Sequence, residues 1–139
     1  MILVVTVVTI TVSCATSKKA ISEEDVRIAL CHTWTNPEAD RPDKVIYYHD
    51  GRFEFFYRID STTSTHSGTY EIEEAWSDHE GNIWSVFSQD FGIGSGVSFY
   101  GSKVLMKISN SGTVFEFTHF SGETPSGSTV YLSSIYYRQ

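Results

Sequence analysis

The sequence predicts an all-β domain that is preceded by one short helix. After position 43, apolar and polar residues alternate along most segments, which is the period of a strand with one face buried. Turn residues such as Asp50-Gly51 recur about every ten residues, and no second segment shows a helical period. Sequential hairpins of this kind are typical of an antiparallel up-and-down β-barrel or of a sandwich.

The helix is predicted to begin after Ser22 and to end near His32. Ser22 and Asp25 have the spacing of a capping box, and the two glutamates between them place negative charge where the helix dipole favours it. The apolar residues of this helix are Val26, Ile28, Ala29 and Leu30.

The strands are predicted from the alternation, most clearly where Phe53 and Phe55 alternate with Arg52 and Glu54. The polar stretch 61–67 is expected to end a strand, and the glycine-rich segment 91–96 to form a flexible lip. About eight strands result: one around Trp34, then 44–49, 52–59, 68–76, 83–88, 97–108, 113–120 and 129–138.

The first thirteen residues form an almost unbroken apolar run that stops before Cys14. Such a run suits the hydrophobic region of an export signal and falls short of the roughly 20 apolar residues of a spanning helix. The residues Thr11-Val12-Ser13 resemble a relaxed bacterial lipobox, so we expect residues 1–13 to be a signal peptide and Cys14 to be acylated. Residues 14–21 would then be a lipidated tether and residues 22–139 the folded domain. The alternative is that residues 1–13 form a buried core strand.

Charge and cysteine content restrict the partners. Acidic residues outnumber basic residues 17 to 10, and the basic ones are scattered, so no nucleic acid partner is expected. Membrane association should therefore come from the acyl chains rather than from surface charge. If Cys14 is acylated, Cys31 has no disulfide partner and should be a small buried residue. A Cys14–Cys31 bridge in a secreted soluble protein is the alternative.

No residue pattern indicates catalysis or metal binding. The five histidines lack the short spacing of metal ligands. Asp50, Asp78 and Glu80 lie in predicted turns, where carboxylates accept backbone hydrogen bonds. We therefore predict no enzyme, no catalytic residue, no metal and no cofactor.

Strict alternation places many large rings on one face of the predicted strands. A barrel of about eight strands is just wide enough to be filled by such rings or to hold one small apolar ligand. Glu74 and His119 would also point inward, either into water at the barrel mouth or towards a ligand head group. A β-bulge near Glu73-Glu74 would instead turn Glu74 outward. The candidate ligand-binding residues are Phe55, Tyr57, Tyr70, Glu74, Trp76, Phe117, His119 and Tyr137.

Five short motifs carry a resemblance to a known family: Thr33-Trp34, Asp50-Gly51-Arg52-Phe53, Gly68-Thr69-Tyr70-Glu71-Ile72, Gly81-Asn82-Ile83-Trp84 and Tyr136-Tyr137-Arg138-Gln139. With these motifs the chain resembles a small bacterial lipocalin-like lipoprotein of the calycin type.

The resemblance implies an up-and-down barrel of about eight strands, in which Arg138 packs over Trp34 and closes the floor. It also implies an exported monomer, anchored by acyl chains at the periplasmic face or the cell surface, that binds a small apolar ligand behind the lip 91–96. The alternative is a protein-binding or inhibitory envelope lipoprotein with a filled barrel, which would use a loop such as 121–128.

Overall fold

A computed structural model describes residues 18–37, 43–59, 61–92, 103–125, 132 and 134–139. The predicted signal peptide, Cys14 and lip residues 93–96 lie outside these ranges. The described residues form a closed, eight-stranded antiparallel β-barrel with one short helix, so the predicted fold class is confirmed. None of the described helical residues belongs to a helix long and apolar enough to cross a bilayer.

The described part of the chain contains one helix and nine strands in a simple order. They are β1 (Lys19–Ala20), α1 (Glu23–Leu30), β2 (Thr33–Thr35), β3 (Lys44–Tyr47), β4 (Arg52–Ile59), β5 (Thr62–Ser77), β6 (Ile83–Asp90), β7 (Lys103–Ile108), β8 (Val114–Phe120) and β9 (Ser134–Arg138).

The barrel is a meander in which each strand from β2 to β9 pairs with its neighbours in the chain. The pairing of Trp34 with Arg138 joins β2 to β9 and closes the barrel. Thr69 pairs with Arg52 of β4 on one side and with Asp90 of β6 on the other, so β5 pairs with its two neighbours one after the other. Such a stagger in the pairing goes with strands that are tilted relative to the barrel axis, and a sheet needs this tilt to close into a barrel.

One end of the barrel, which we call the closed end, carries α1 and the turns 48–51, 78–82 and 109–112. Gly51 in the predicted Asp50-Gly51 turn has a φ of 88°, which glycine adopts without steric cost. The turns contact one another, since the Asn110 N–H donates to Asn82 Oδ1 at 3.0 Å. The opposite end, which we call the open end, carries the connections β2–β3, β4–β5, β6–β7 and β8–β9.

The helix begins as predicted and covers the closed end. Ser22 Oγ accepts a hydrogen bond from the Asp25 N–H, and Asp25 Oδ2 accepts one from the Ser22 N–H, which completes the capping box. Val26 and Leu30 are fully buried. Ile28 was expected on the apolar face, but it is 63% exposed because it points away from the barrel.

Strand β5 is longer than predicted. The polar stretch 61–67, expected to end a strand, mostly belongs to β5, whose first eight residues pair with all eight residues of β4. Pairing with an apolar partner strand, rather than the hydrophobicity of the stretch itself, determines its conformation. Segments 97–102 and 129–131, also predicted as strand, lie outside the described residues.

A β-bulge interrupts the register of β5. Ile72 pairs with Phe87 and Glu74 pairs with Val86, so Glu73 is the extra residue. Beyond the bulge Ala75 packs against the core, while Glu74 is exposed and Trp76 lies on the outer face. The expectation that Glu74 and Trp76 point inward is therefore wrong, and the bulge considered as an alternative is present.

The predicted tether contains structure in its last residues. Lys19 pairs with Ser77 and Ala20 with Trp76, which makes β1 a short extra strand beside β5. Ile21 then packs against the core. The chain is thus attached to the barrel from Lys19 onward rather than from Ser22.

Candidate functional site

The half of the barrel nearest the closed end is filled with aromatic rings. Tyr47 of β3 occupies its centre and contacts rings from four other strands at centroid distances of 5.4 to 6.3 Å. These rings are Phe53, Phe55, Tyr70, Phe87 and Phe115. Because rings from opposite walls meet on Tyr47, side chains rather than a ligand occupy this half.

Trp34 forms the floor, but not by the predicted contact. The indole is fully buried, its Nε1–H donates to the Leu30 carbonyl at 2.8 Å, and its ring lies 5.3 Å from that of Phe115. Arg138 is the cross-strand partner of Trp34, yet its side chain is exposed, and the cation–π contacts of the described residues do not join this pair. Helix α1 covers the indole instead.

Towards the open end, the inward-facing side chains become accessible. Phe55 and Phe117 are 3% and 5% exposed, whereas Tyr57, His66 and His119 are only half-buried. The Tyr57 and His66 rings meet edge to face at 5.3 Å, and the Phe117 and His119 rings do so at 5.7 Å. The open half therefore presents an aromatic wall on two sides of the barrel, with an imidazole on each side.

Burial favours the uncharged forms of two polar groups of this wall, His119 and Tyr57. Burial lowers the pKa of His119, which favours the neutral imidazole at pH 7. Burial likewise raises the pKa of Tyr57, so that its hydroxyl stays protonated. Both side chains can exchange hydrogen bonds with a polar group without bringing a charge into the barrel.

Gln89 lies on the inward face of β6, between Phe87 and Phe91. It is 2% exposed, and its Nε2 donates to the Tyr47 hydroxyl at 2.9 Å. Its Oε1 is buried and has no hydrogen-bond partner among the described residues. An unsatisfied buried carbonyl is costly. Because Gln89 pairs with Tyr70 across the strands and bonds Tyr47, it lies in the filled half of the barrel rather than at the open end.

Four of the eight candidate residues lie on the inward face of the barrel towards the open end: Phe55, Tyr57, Phe117 and His119. Three others lie on the outer surface. Glu74 and Trp76 are there because of the bulge, and Tyr137 is 49% exposed. The inward and outward positions predicted for β9 are shifted by one residue. Ser134 and Tyr136 are the buried residues of this strand.

Tyr70, the eighth candidate, belongs to the closed end. Its hydroxyl donates to the Tyr48 carbonyl at 2.8 Å, accepts from Arg27 Nη1 at 3.2 Å and lies 3.6 Å from Cys31 Sγ. Cys31 is a free, half-buried thiol rather than a fully buried residue, and burial raises the pKa of both Tyr70 and Cys31. This network attaches α1 to the barrel and leaves Tyr70 remote from the mouth.

Gln89, Phe91 and His66 face inward but do not belong to the inward set that the sequence predicts. Phe91 was assigned to the flexible lip, but it is 5% exposed and packs on Phe53 at 4.9 Å and Phe55 at 5.5 Å. Extending the alternation of β6 beyond Phe87 would have found both Gln89 and Phe91. His66 could not be found in this way, because its neighbours in β5 are serines and threonines.

Two grooves lie elsewhere on the molecule. One of about 760 Å³ is lined mainly by outward-facing residues of β2 to β5, including Thr35, Lys44 and Phe56. The other, of about 540 Å³, combines Arg27 with carboxylates of the first hairpin, β5 and β6. Among the described residues, no group of three or more His, Cys, Asp or Glu side chains is placed to hold a metal ion.

Comparison with known proteins identifies no relative: no protein-family model, no curated protein and no solved structure matches the chain.

Proposed function

We propose that the protein is an exported, lipid-anchored, lipocalin-like barrel that binds a small apolar ligand in its open half. One observation carries the proposal: the aromatic inward face is sealed at the closed end and becomes accessible at the open end, at Tyr57, His66 and His119. Ligand sites in proteins are concave, mostly apolar and equipped with a few polar groups that orient the ligand. The proposed role is binding rather than catalysis.

The lining also indicates the chemistry of the ligand. Rings dominate the wall, while its polar groups are the imidazoles of His66 and His119 and the phenol of Tyr57, and burial favours the uncharged forms of His119 and Tyr57. We expect a ligand with an apolar or aromatic body and an uncharged hydrogen-bonding group. A strongly charged ligand would lose more hydration than these groups replace.

A matched pair of substitutions on β5 tests the ligand site. Ser64 is half-buried on the inward face opposite Tyr57, whereas the next residue, Thr65, is exposed on the outer face. Ser64→Trp should fill the mouth and abolish binding of an apolar fluorescent probe such as N-phenyl-1-naphthylamine, and Thr65→Trp should leave binding unchanged. Equal probe binding by the two variants, or none by the unmodified protein, would contradict the proposal.

The lipid anchor has a separate test. Cys14→Ser should move the protein from the membrane fraction to the soluble fraction and abolish incorporation of radiolabelled palmitate. Continued membrane association of this variant would overturn the acylation.

A protein-binding barrel is the second candidate, and exposed apolar side chains favour it. Ile135 and Tyr137 of β9 are 42% and 49% exposed on the outer face of the barrel. A binding partner that is lost on Tyr137→Ser but kept on Ser64→Trp would support this candidate over the ligand carrier.

A further inference from the structure

An aromatic and basic surface lies on the outer wall near the closed end. The Trp76 and Trp84 rings stack at a centroid distance of 6.2 Å with an interplanar angle of 5°, and both are half-buried. Lys18 Nζ lies 4.4 Å from the centre of the Trp76 ring, and Lys107 Nζ lies 5.7 Å from that of Trp84. We call these four residues the tryptophan face.

The tryptophan face is held in place by the turn beside it. The Trp84 Nε1–H donates to Asp78 Oδ2 at 2.8 Å, and Asp78 Oδ1 accepts from the backbone N–H groups of Glu80 and Asn82. Two large rings are therefore presented side by side at a fixed angle. Both rings remain partly accessible on the outer wall, so they can contact a surface that lies beside it.

The position of Lys18 limits how far from this face Cys14 can lie. Because β1 runs antiparallel to β5, and β5 runs towards the closed end, Lys18 lies on the closed-end side of Lys19. Cys14 precedes Lys18 by four residues, which span at most about 14 Å even when fully extended. An acyl group on Cys14 would hold the tryptophan face close to the lipid surface.

We propose that the tryptophan face lies in the lipid–water interface of the membrane that holds the acyl chains, with the open end of the barrel pointing away from the bilayer. This inference rests on the proposed acylation of Cys14. Tryptophan is enriched at the headgroup level because its ring is apolar and its N–H is polar, and a lysine stem covers apolar surface while its ammonium stays in water.

Neighbouring carboxylates indicate which lipid the face suits. Glu116 lies 3.4 Å from Lys107, and Asp78 lies beside Trp84. Together with the net charge of −7, these groups offset the two lysines. Contact with the interface should therefore not require anionic lipid.

Depth-dependent quenching tests the orientation. The full chain is expressed with its lipid, checked by mass for acyl addition and reconstituted into phosphatidylcholine vesicles that carry brominated acyl chains. The chain has only three tryptophans, and the third, Trp34, is buried inside the barrel. We expect the brominated lipid to remove most of the Trp76 and Trp84 emission. The emission that remains should equal the emission of the Trp76→Phe/Trp84→Phe variant. Trp34 is the one tryptophan left in that variant, and brominated lipid should hardly quench it.

A control places a tryptophan on the same strand near the open end. Thr65→Trp in the Trp76→Phe/Trp84→Phe background should respond to aqueous iodide but not to brominated lipid, because Thr65 is exposed on the outer face near the open end. If acylated, vesicle-bound protein keeps its Trp76 and Trp84 emission in brominated lipid, the inference is overturned and the anchor is not. Quenching of the Thr65→Trp emission by brominated lipid would overturn the inference in the same way. If the expressed chain carries no acyl group and does not sediment with vesicles, the proposed acylation of Cys14 is wrong. The orientation that rests on this acylation is then wrong as well.

Discussion

Removing the indole of Trp34 should strongly destabilise the barrel. The side chain is fully buried, packs on Phe115 and donates to the Leu30 carbonyl at 2.8 Å. Truncation of a buried tryptophan to alanine costs about 3–5 kcal/mol, because apolar contacts are lost and a cavity remains. Trp34→Phe keeps most of the ring and loses the hydrogen bond, so it should cost about 1–2 kcal/mol.

Urea unfolding followed by far-UV circular dichroism measures these differences. With a slope of about 2 kcal/mol per molar urea, Trp34→Ala should lower the midpoint by about 2 M at an unchanged slope. Trp84→Ala is the matched control, because the Trp84 ring is half-exposed on the outer wall and should cost clearly less. A midpoint unaffected by Trp34→Ala, or an equal loss in Trp84→Ala, would refute the placement of Trp34 at the barrel floor.

Three further predictions concern the described residues. A Cβ at position 68 would lie 2.1 Å from the Asp90 carbonyl and 2.8 Å from Phe53, so Gly68→Ala should lower the urea midpoint by the equivalent of about 1–3 kcal/mol. Asp78→Ala removes the acceptor of three N–H groups in the turn 78–82 and of the Trp84 indole N–H, and should lower the melting temperature. Burial lowers the pKa of His119, so stability should fall as the pH drops below 6.5, where the unfolded chain takes up the proton first, and His119→Gln should weaken this dependence.

Exposed residues supply the controls for these three variants. They are Ser67→Ala, Glu123→Ala and His79→Gln, each at a position on the surface. A Gly68→Ala protein as stable as its control would show that β6 does not approach β5 closely. A pH profile of melting temperature identical in His119→Gln and the unmodified protein would show that His119 is not buried in the folded state.

The alternation of apolar and polar residues was sufficient to predict a strand where its pairing is regular. The strand 52–59 was predicted to the residue because Phe53 and Phe55 alternate with charged neighbours, and the capping box at Ser22 needs only residues three apart. The same alternation found the inward positions Tyr57, Phe117 and His119.

Long-range pairing was decisive where the prediction failed. The first half of β5 is polar, and β4 determines its strand conformation. A single extra residue, Glu73, turned Trp76 outward, and a shift of one residue in β9 exchanged Tyr136 for Tyr137. Period-2 patterns are sensitive to such shifts because one residue changes the face of every side chain that follows.

The central claim is that the open half of the barrel holds a ligand, and the interior volume in a crystal structure tests it most directly. A ligand site there requires a cavity of at least about 300 Å³, the lower range of ligand sites, bounded by Tyr57, His66, Phe117 and His119. An open half packed solid by side chains would contradict it.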